Sequence, residues 1–302
     1  MSLRTLKAKK WVKKQMKKNL STATPIDCER FIHEADKRSL SALKKIPLLD
    51  TVCSKIMSIL QDTQRDIINM SGKIHITKQQ YGQIYAMVES ICKKIGIEMP
   101  KLYLELNREP NAYTYGTEKP TLVIHSGLIE CLEEDEIYAV LAHECGHIAC
   151  KHMLYHTIGG LLIDGGELGL DELKGLIRPK GILGMLTDGV VTAIDSTLEL
   201  AFFQWLRWSE LSADRVAVIC CGGAKPVVET MMRLAGGTIH LDAEISMEQF
   251  AAQATEYQQL LSENKVNKLL EFWLTRRTTH PLLAVRAYEA LQFEKTEEFL
   301  SL

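Results

Sequence analysis

Two histidines and a glutamate form the pattern His-Glu-x-x-His in the segment His143-Glu144-Cys-Gly-His147. Histidines four residues apart lie on one face of an α-helix, so both imidazoles can reach one metal ion. Zinc binds imidazole nitrogen, and catalytic zinc sites typically use three protein ligands plus water. Glu144 lies beside that face, where it could take a proton from the zinc-bound water. The pattern therefore predicts a hydrolytic zinc site with Glu144 as the general base.

A third protein ligand has to come from another part of the chain. The metzincin extension would need Gly and His where this chain has Cys150 and Met153. His152 and His156 are close, but on a continuing helix they point to different sides, so we expect exposed histidines there. Glu210 is the better candidate, because a glutamate on a second helix would complete a set of two histidines and one glutamate.

Glu210 belongs to the segment Arg207-Trp-Ser-Glu-Leu-Ser-Ala-Asp214. Asp214 follows one helical turn later, where it could hydrogen-bond the outer nitrogen of His143 and fix its tautomer. Taken alone, Glu210 and Asp214 could be a solvated acidic face. The apolar residues around them predict a half-buried helix instead, and buried carboxylates need partners.

A small sheet and a long helix are predicted to position the histidines. Apolar residues alternate over Leu102–Leu106, and two short runs follow at 111–116 and 121–125, separated by Gly and Pro. These runs predict a sheet of three to four short strands. The helix that carries the histidines is predicted over about 133–156, with an acidic first turn and a basic last turn.

Helices also dominate the second half of the chain. They are predicted over about 191–221 and 247–276, and a last helix is predicted to begin at His280-Pro281. The intervening segment 157–190 holds nine of the nineteen glycines. It could be a gate over the cleft or a plain surface connection. The pattern predicts a single, mostly helical α+β domain over 21–302.

Charge and cysteine content narrow the class of protein. Residues 1–20 carry eight Lys or Arg and no acid, which predicts a basic tail, either solvated or attracted to an anionic membrane surface. The net charge of -2 argues against a nucleic-acid partner. No apolar run is long enough for a transmembrane helix. The eight cysteines lack metal-site spacing and predict reduced thiols in a cytoplasmic protein.

The combination of motifs resembles a known family, the gluzincin peptidases that include HtpX and the CAAX prenyl protease. The resemblance rests on Pro110-Asn-Ala-Tyr113, on residues 127–147, on Glu210-Leu-Ser-Ala-Asp214, and on Thr279-His-Pro281 with Arg286. It implies a zincin-like fold, one zinc ion per chain and the glutamate of the third stretch as the third ligand. Well-known members carry transmembrane helices, so a soluble or peripheral branch is expected.

The resemblance also implies roles around the metal. Asn111, with Ala112 and Tyr113, would lie on an edge strand and contact the substrate. His280 would stabilise the tetrahedral oxyanion, and Arg286 would support the site. Each residue also has a plain interpretation: a turn residue for Asn111, a helix cap for His280 and a surface charge for Arg286.

The function predicted from the sequence is a zinc metalloendopeptidase that acts on peptide or protein substrates. The peptide is expected to lie extended along the 111–115 strand. Two alternatives stay open: a non-catalytic zinc-binding or chaperone-like interaction protein, and an aminopeptidase. Cobalt or manganese could also occupy such a set of ligands.

Overall fold

Helices surround one small sheet. A computed structural model describes residues 3–20, 24–45, 62–116, 119–155, 188–237, 246–263 and 282–302. Its helices are α1 Leu3–Leu20, α2 Glu34–Leu43, α3 Asp62–Gly72, α4 Gly82–Ile95, α5 Ser126–Cys131, α6 Glu134–Ala149, α7 Asp188–Cys221, α8 Lys225–Leu234, α9 Met247–Glu263, α10 Leu283–Phe293 and α11 Glu297–Leu300. A short 3-10 turn, Cys28–Phe31, precedes α2. The prediction of a mostly helical α+β fold is confirmed.

The sheet consists of strands β1 Ile74–His75, β2 Lys101–Glu105, β3 Ala112–Tyr115 and β4 Thr121–His125, in the order β1-β2-β4-β3. Strands β2 and β4 are parallel, whereas β1 and β3 run antiparallel to their neighbours. Within the described sheet β3 is therefore an outer strand. It packs against α6, so the edge of the sheet borders the helix that carries the two histidines.

Helix α1 corrects the prediction that residues 1–20 form a solvated tail. One side of α1 packs against α4 and α6. Val12 is buried there, and the ring of Trp11 meets that of Tyr138 edge-on at 5.9 Å. The buried amide of Asn19 donates a hydrogen bond to the Tyr138 hydroxyl at 2.6 Å. The buried stripe is narrow, and lysines dominate the opposite face. The composition of this segment therefore predicted exposure rather than burial.

Helix α6 lies in the middle of the core. Ile137, Leu141 and Cys145 recur every four residues and are buried, as expected for the inner face of a helix. The helix contacts α1, α4, α7 and α8 as well as β3. One cluster of buried apolar residues runs from Val12 to Phe293. The extent of the predicted domain over 21–302 stays a prediction, because several of its segments lie outside the described residues.

Four further features bear on the sequence predictions. Seven cysteines are free thiols, in agreement with the expected reduced state, and Cys53 lies outside the described residues. Among the stretches that the structure describes, no helix is long and apolar enough to cross a membrane. Residues 157–187 of the Gly-rich segment also lie outside the described residues. Helix α6 ends at Ala149, earlier than the predicted end near residue 156.

Candidate metal centre

Helix α6 brings the two histidines of the pattern together. Its first turn is fixed by a capping box in which Glu133 and Glu136 each bond the other's backbone N–H. His143 and His147 are both buried. Their Nε2 atoms lie 3.2 Å apart, so one ion between the rings could contact both nitrogens.

Glu210 on α7 completes the group from across the helix interface. Its Oε2 lies 3.4 Å from Nε2 of His143, and its Oε1 lies 3.3 Å from Nε2 of His147. The three donor atoms lie within 4.8 Å of one another, and all three residues are buried. Two imidazoles and one carboxylate are a donor set that zinc accepts. The structure thus brings the three sequence-predicted ligands to one point.

The close approach of α6 and α7 depends on Gly146. A Cβ at this position would lie 3.0 Å from both the Cα and the carbonyl oxygen of Ala213, and 3.1 Å from Cβ of Val216. Ala213 lies on α7 between Glu210 and Asp214. The missing side chain of Gly146 therefore lets α7 carry both carboxylates up to the histidines.

Asp214 and Arg286 contact the candidate ligands. Oδ1 of Asp214 lies 2.9 Å from Nδ1 of His143, which leaves Nε2 of that ring facing Glu210. Arg286 on α10 donates from Nε and Nη2 to the two oxygens of Asp214, at 2.8 and 2.7 Å. Its Nη1 lies 2.8 Å from Oε2 of Glu210. One guanidinium thus contacts both a candidate ligand, Glu210, and the partner of another, Asp214.

The net negative charge around the imidazoles favours the binding of a cation. Burial opposes a charge on His143, but the carboxylates of Glu210 and Asp214 raise its pKa to about 9. Burial likewise opposes a charge on Asp214, yet Arg286 holds the pKa of that carboxyl below its usual range. Near the imidazoles, Glu144, Glu210 and Asp214 contribute three buried carboxylates and Arg286 one guanidinium. A divalent cation would supply the remaining positive charge, so the site fits a metal ion.

Glu144 faces a cleft beside the three candidate ligands. The Thr114 hydroxyl donates a hydrogen bond to Oε2 of Glu144 at 3.1 Å. Within the described residues, Oε1 of Glu144 is buried and has no hydrogen-bond partner. The carboxylate is thereby fixed at one oxygen and available at the other. Thr114 carries no sequence signal beyond its place in an alternating strand, so it was not among the predicted site residues.

A cleft of about 470 Å³, counting space open to solvent, lies beside Glu144. Asn111 and Ala112 of the sheet and Arg286 of α10 are among the residues that line it. Apolar side chains form much of the remaining wall, among them Leu128, Val140, Val227, Met231 and Leu234.

The third residue of the predicted substrate strand has a different environment. Tyr113 lies on the opposite face of β3 from Thr114, because successive strand residues alternate. Its hydroxyl donates to Oε2 of Glu105 at 3.0 Å, and Lys73 lies 2.9 Å from the same hydroxyl. The Tyr113 side chain is therefore directed away from Glu144.

His280 lies outside the described residues, as does His156. The last helix was predicted to begin at His280-Pro281. Helix α10 begins at Leu283, and Leu282 before it has the left-handed φ of 64°. The assignment of His280 to the oxyanion stays a prediction.

His152 corrects the expectation of an exposed histidine. Its ring is fully buried, with Nδ1 3.0 Å from Nδ1 of His147 and Nε2 2.9 Å from Oδ2 of Asp36. The expectation assumed that the helix continued past residue 149. Lys151 instead takes a left-handed φ of 60° and reverses the chain, which returns His152 to His147.

Comparison with known proteins agrees with this geometry. A family model described as peptidase family M48 matches residues 78–294 of the 302-residue chain. The chain belongs to peptidase family M48. Membership confirms the resemblance drawn from the four motif stretches, all of which lie inside the matched range. It also makes the chain a peptidase of a metal-dependent family, with a buried triad that could hold the metal.

Relatives of this M48 peptidase carry related names. The chain is 29% identical over 280 residues to plastoglobule-localized metallopeptidase 48, chloroplastic, of Arabidopsis thaliana, covering 92% of the chain and 76% of that protein. Proteins named protease HtpX homolog, from Gemmatimonas aurantiaca and Desulfatibacillum aliphaticivorans, are 24% and 25% identical over 60% and 59% of the chain. Those alignments cover 67% and 62% of the two relatives. No solved structure matches the M48 chain.

Proposed function

We propose that this M48 chain is a zinc-dependent endopeptidase. The observation that carries the proposal is the convergence of His143, His147 and Glu210 within 4.8 Å, beside a carboxylate that faces an open cleft. A purely structural zinc site is usually closed and rich in cysteine. The cleft and the general-base candidate favour a hydrolytic site instead.

The chain's own residues have distinct roles in the proposed reaction. A bound zinc ion would supply Lewis acidity, polarising the scissile carbonyl and lowering the pKa of the attacking water. Glu144 accepts a proton from that water and later delivers it to the leaving amine. Thr114 orients Glu144 through its hydrogen bond. Arg286 and Asp214 keep the ligands in place, so we assign Arg286 to ligand support.

The substrate is proposed to bind as an extended peptide along β3. The outer edge of β3 can add a strand through backbone hydrogen bonds. Asn111 lies at its start, with Oδ1 accepting from the Ala112 N–H at 2.9 Å, and its side chain borders the cavity. The apolar wall of the cavity favours an apolar substrate side chain next to the scissile bond. His280 remains our candidate for an oxyanion donor, on the strength of the family resemblance.

The decisive test compares wild type with Glu144→Gln. The amide preserves the shape of the side chain but cannot accept the proton, so Glu144→Gln should bind one zinc ion and lose at least about a hundredfold of turnover. Metal analysis and mass spectrometry of a peptide library measure both quantities. Undiminished turnover in Glu144→Gln, or a wild-type chain that binds no zinc, would refute the proposal.

The same library separates the two alternatives. An endopeptidase cleaves peptides whose N-terminus is acetylated, whereas an aminopeptidase requires the free amine. A non-catalytic zinc-binding protein would cleave neither set while still binding zinc. We expect internal cleavage of acetylated peptides, with apolar residues enriched beside the cleavage point.

We also propose a peripheral contact between α1 and an anionic membrane surface. Lys10, Lys14 and Lys17 are exposed on α1, while its apolar side is already buried against α4 and α6. Binding should therefore be electrostatic, at about 1 kcal/mol per lysine, and lost in high salt. Sedimentation with phosphatidylserine vesicles should fall for the triple Lys→Glu variant, with phosphatidylcholine vesicles as the control. Equal sedimentation of both proteins would count against the contact.

A further inference from the structure

A chain of hydrogen-bonded side chains leads from His147 away from the candidate metal site. Nδ1 of His147 lies 3.0 Å from Nδ1 of His152, and Nε2 of His152 lies 2.9 Å from Oδ2 of Asp36. All three side chains are fully buried. His147 thus has an outer partner, as His143 has in Asp214.

Only one arrangement of protons lets His147 bind a metal through Nε2 and also gives each of the two hydrogen bonds, His147–His152 and His152–Asp36, one donor and one acceptor. A neutral imidazole that offers Nε2 to a metal carries its proton on Nδ1. Nδ1 of His147 must therefore donate, and Nδ1 of His152 must accept. The proton of His152 then lies on Nε2 and is donated to Asp36, whose ionised carboxylate can only accept.

Asp36 is held as an acceptor by three donors. Trp205 donates from Nε1 to Oδ1 at 2.9 Å, and Ser212 donates from Oγ to Oδ2 at 2.6 Å, where His152 also donates. Trp205 and Ser212 both lie on α7, the helix that carries Glu210. The carboxylate of Asp36 is therefore fixed relative to the third candidate ligand.

The backbone brings His152 into this position. The end of α6 is a Schellman motif, in which the N–H of His152 bonds the carbonyl of His147 at 3.0 Å and the N–H of Lys151 bonds that of Ile148 at 3.1 Å. Asp36 comes from α2, which lies outside the 78–294 range matched by the family model. The last residue of this series of hydrogen bonds, Asp36, therefore lies in a part of the protein that the family match does not cover.

We propose that Asp36 and His152 are positioning residues for the metal ligand His147. They fix the proton of His147 on Nδ1 and orient its ring, which keeps Nε2 available to the ion. The proposal rests on the proposed zinc site. Outer partners of this kind typically change metal affinity by about 10–100-fold when they are altered.

The variant Asp36→Asn tests the direction of the two hydrogen bonds, that is, which residue donates and which accepts in each. An amide nitrogen at Oδ2 would donate to Nε2 of His152 and so reverse both bonds, which places the proton of His147 on Nε2. We expect zinc affinity, measured by competition with a chromophoric chelator, to fall by about 10–100-fold. Ser212→Ala is the matched control, because it removes a donor to the same carboxylate but leaves the chain to His147 intact.

A second pair of variants tests the same chain without changing Asp36. His152→Phe keeps an aromatic ring and removes the acceptor for His147, whereas His152→Asn places an amide oxygen near the position of Nδ1. Zinc affinity should fall in His152→Phe and recover in His152→Asn. The visible spectrum of the Co²⁺-substituted proteins should change in the same order, which reports ligand geometry independently of activity.

The outcomes separate this proposal from the proposed function. If wild type binds no zinc, both fail. If wild type binds zinc and cleaves peptides, but folded Asp36→Asn and His152→Phe bind zinc as tightly as wild type, only the positioning role is wrong. A loss in Ser212→Ala equal to that in Asp36→Asn would also overturn it, because the effect would then come from the packing of α2 on α7.

Discussion

The hydroxyl of Thr114 donates a hydrogen bond to Oε2 of Glu144 at 3.1 Å, joining an edge strand to the candidate general base. Thr114 is buried and alternates with Tyr113, whose side chain lies on the other face of β3. The strand proposed to bind the substrate is therefore the strand that orients the base. This relationship predicts that a change in β3 can impair proton transfer without disturbing the metal ligands.

Thr114→Val should reduce kcat while zinc content stays at the wild-type level. A hydrogen bond to a charged group is worth about 1.5–3 kcal/mol, so we expect a loss of roughly tenfold or more. Thr114→Ser keeps the hydroxyl and should retain most of the activity. Steady-state kinetics with a quenched fluorescent peptide make the comparison. A kcat for Thr114→Val equal to that of Thr114→Ser would contradict the role of the hydroxyl.

Gly146→Ala should weaken both the fold and the metal site. The new methyl group would lie 3.0 Å from the backbone of Ala213, so α7 must move away from α6. Overpacking of this kind costs about 1–3 kcal/mol. Denaturant unfolding and zinc competition measure the two effects.

Gly82→Ala provides a matched control for that substitution. Gly82 lies in the first turn of α4, and a Cβ there would meet nothing within 4 Å. Because Gly82 is the first residue of α4, the change should alter the free energy of unfolding by less than about 0.5 kcal/mol and leave zinc affinity unaltered. Equal zinc affinity in Gly146→Ala and Gly82→Ala would show that close helix packing is not required.

Arg286→Lys should lower zinc affinity although the charge is kept. A lysine offers a single ammonium in place of the planar fork that contacts both Asp214 and Glu210. We expect a loss of about tenfold or more. Arg233→Lys is the control, since Arg233 is also buried and pairs with Glu136 at 3.2 Å, away from the ligands. Similar losses of zinc affinity in both variants would argue for a general effect on stability.

His143 should make the EDTA-treated protein less stable at high pH. Its folded-state pKa is raised to about 9 from the ordinary 6.5. The stabilisation is therefore complete below pH 6.5 and is lost as the pH rises through about 9. The free energy of unfolding should fall across this window by on the order of 3 kcal/mol. Urea unfolding at several pH values tests this, and an equally steep fall in His143→Asn would exclude His143 as the cause.

Part of the site followed from the sequence because its geometry is local. The four-residue interval between His143 and His147 places both rings on one face of any α-helix. Glu210 could be chosen because the chemistry of a hydrolytic zinc site demands a third ligand. The runs over residues 102–125 likewise predicted β2, β3 and β4, whereas the two-residue strand β1 was not predicted.

His152 and α1 show where such reasoning stops. Helices favour glycine at the position that Lys151 occupies after α6, so the reversal that buries His152 had no sequence signal. In α1 the many lysines predicted an exposed segment, although a narrow stripe of its residues is buried. Both predictions failed because burial depends on the surface against which a segment packs.

The sequence by itself determined which side chains could donate to a metal ion and that the two histidines share one helix face. It also determined that the chain belongs to peptidase family M48. Only the tertiary structure decided three contacts. Thr114 bonds Glu144, Arg286 joins Asp214 to Glu210, and Asp36 is linked to His147 through His152. A helical repeat is fixed over a few residues, whereas Asp36 and His152 are 116 positions apart along the chain. Such contacts arise only when distant elements pack together.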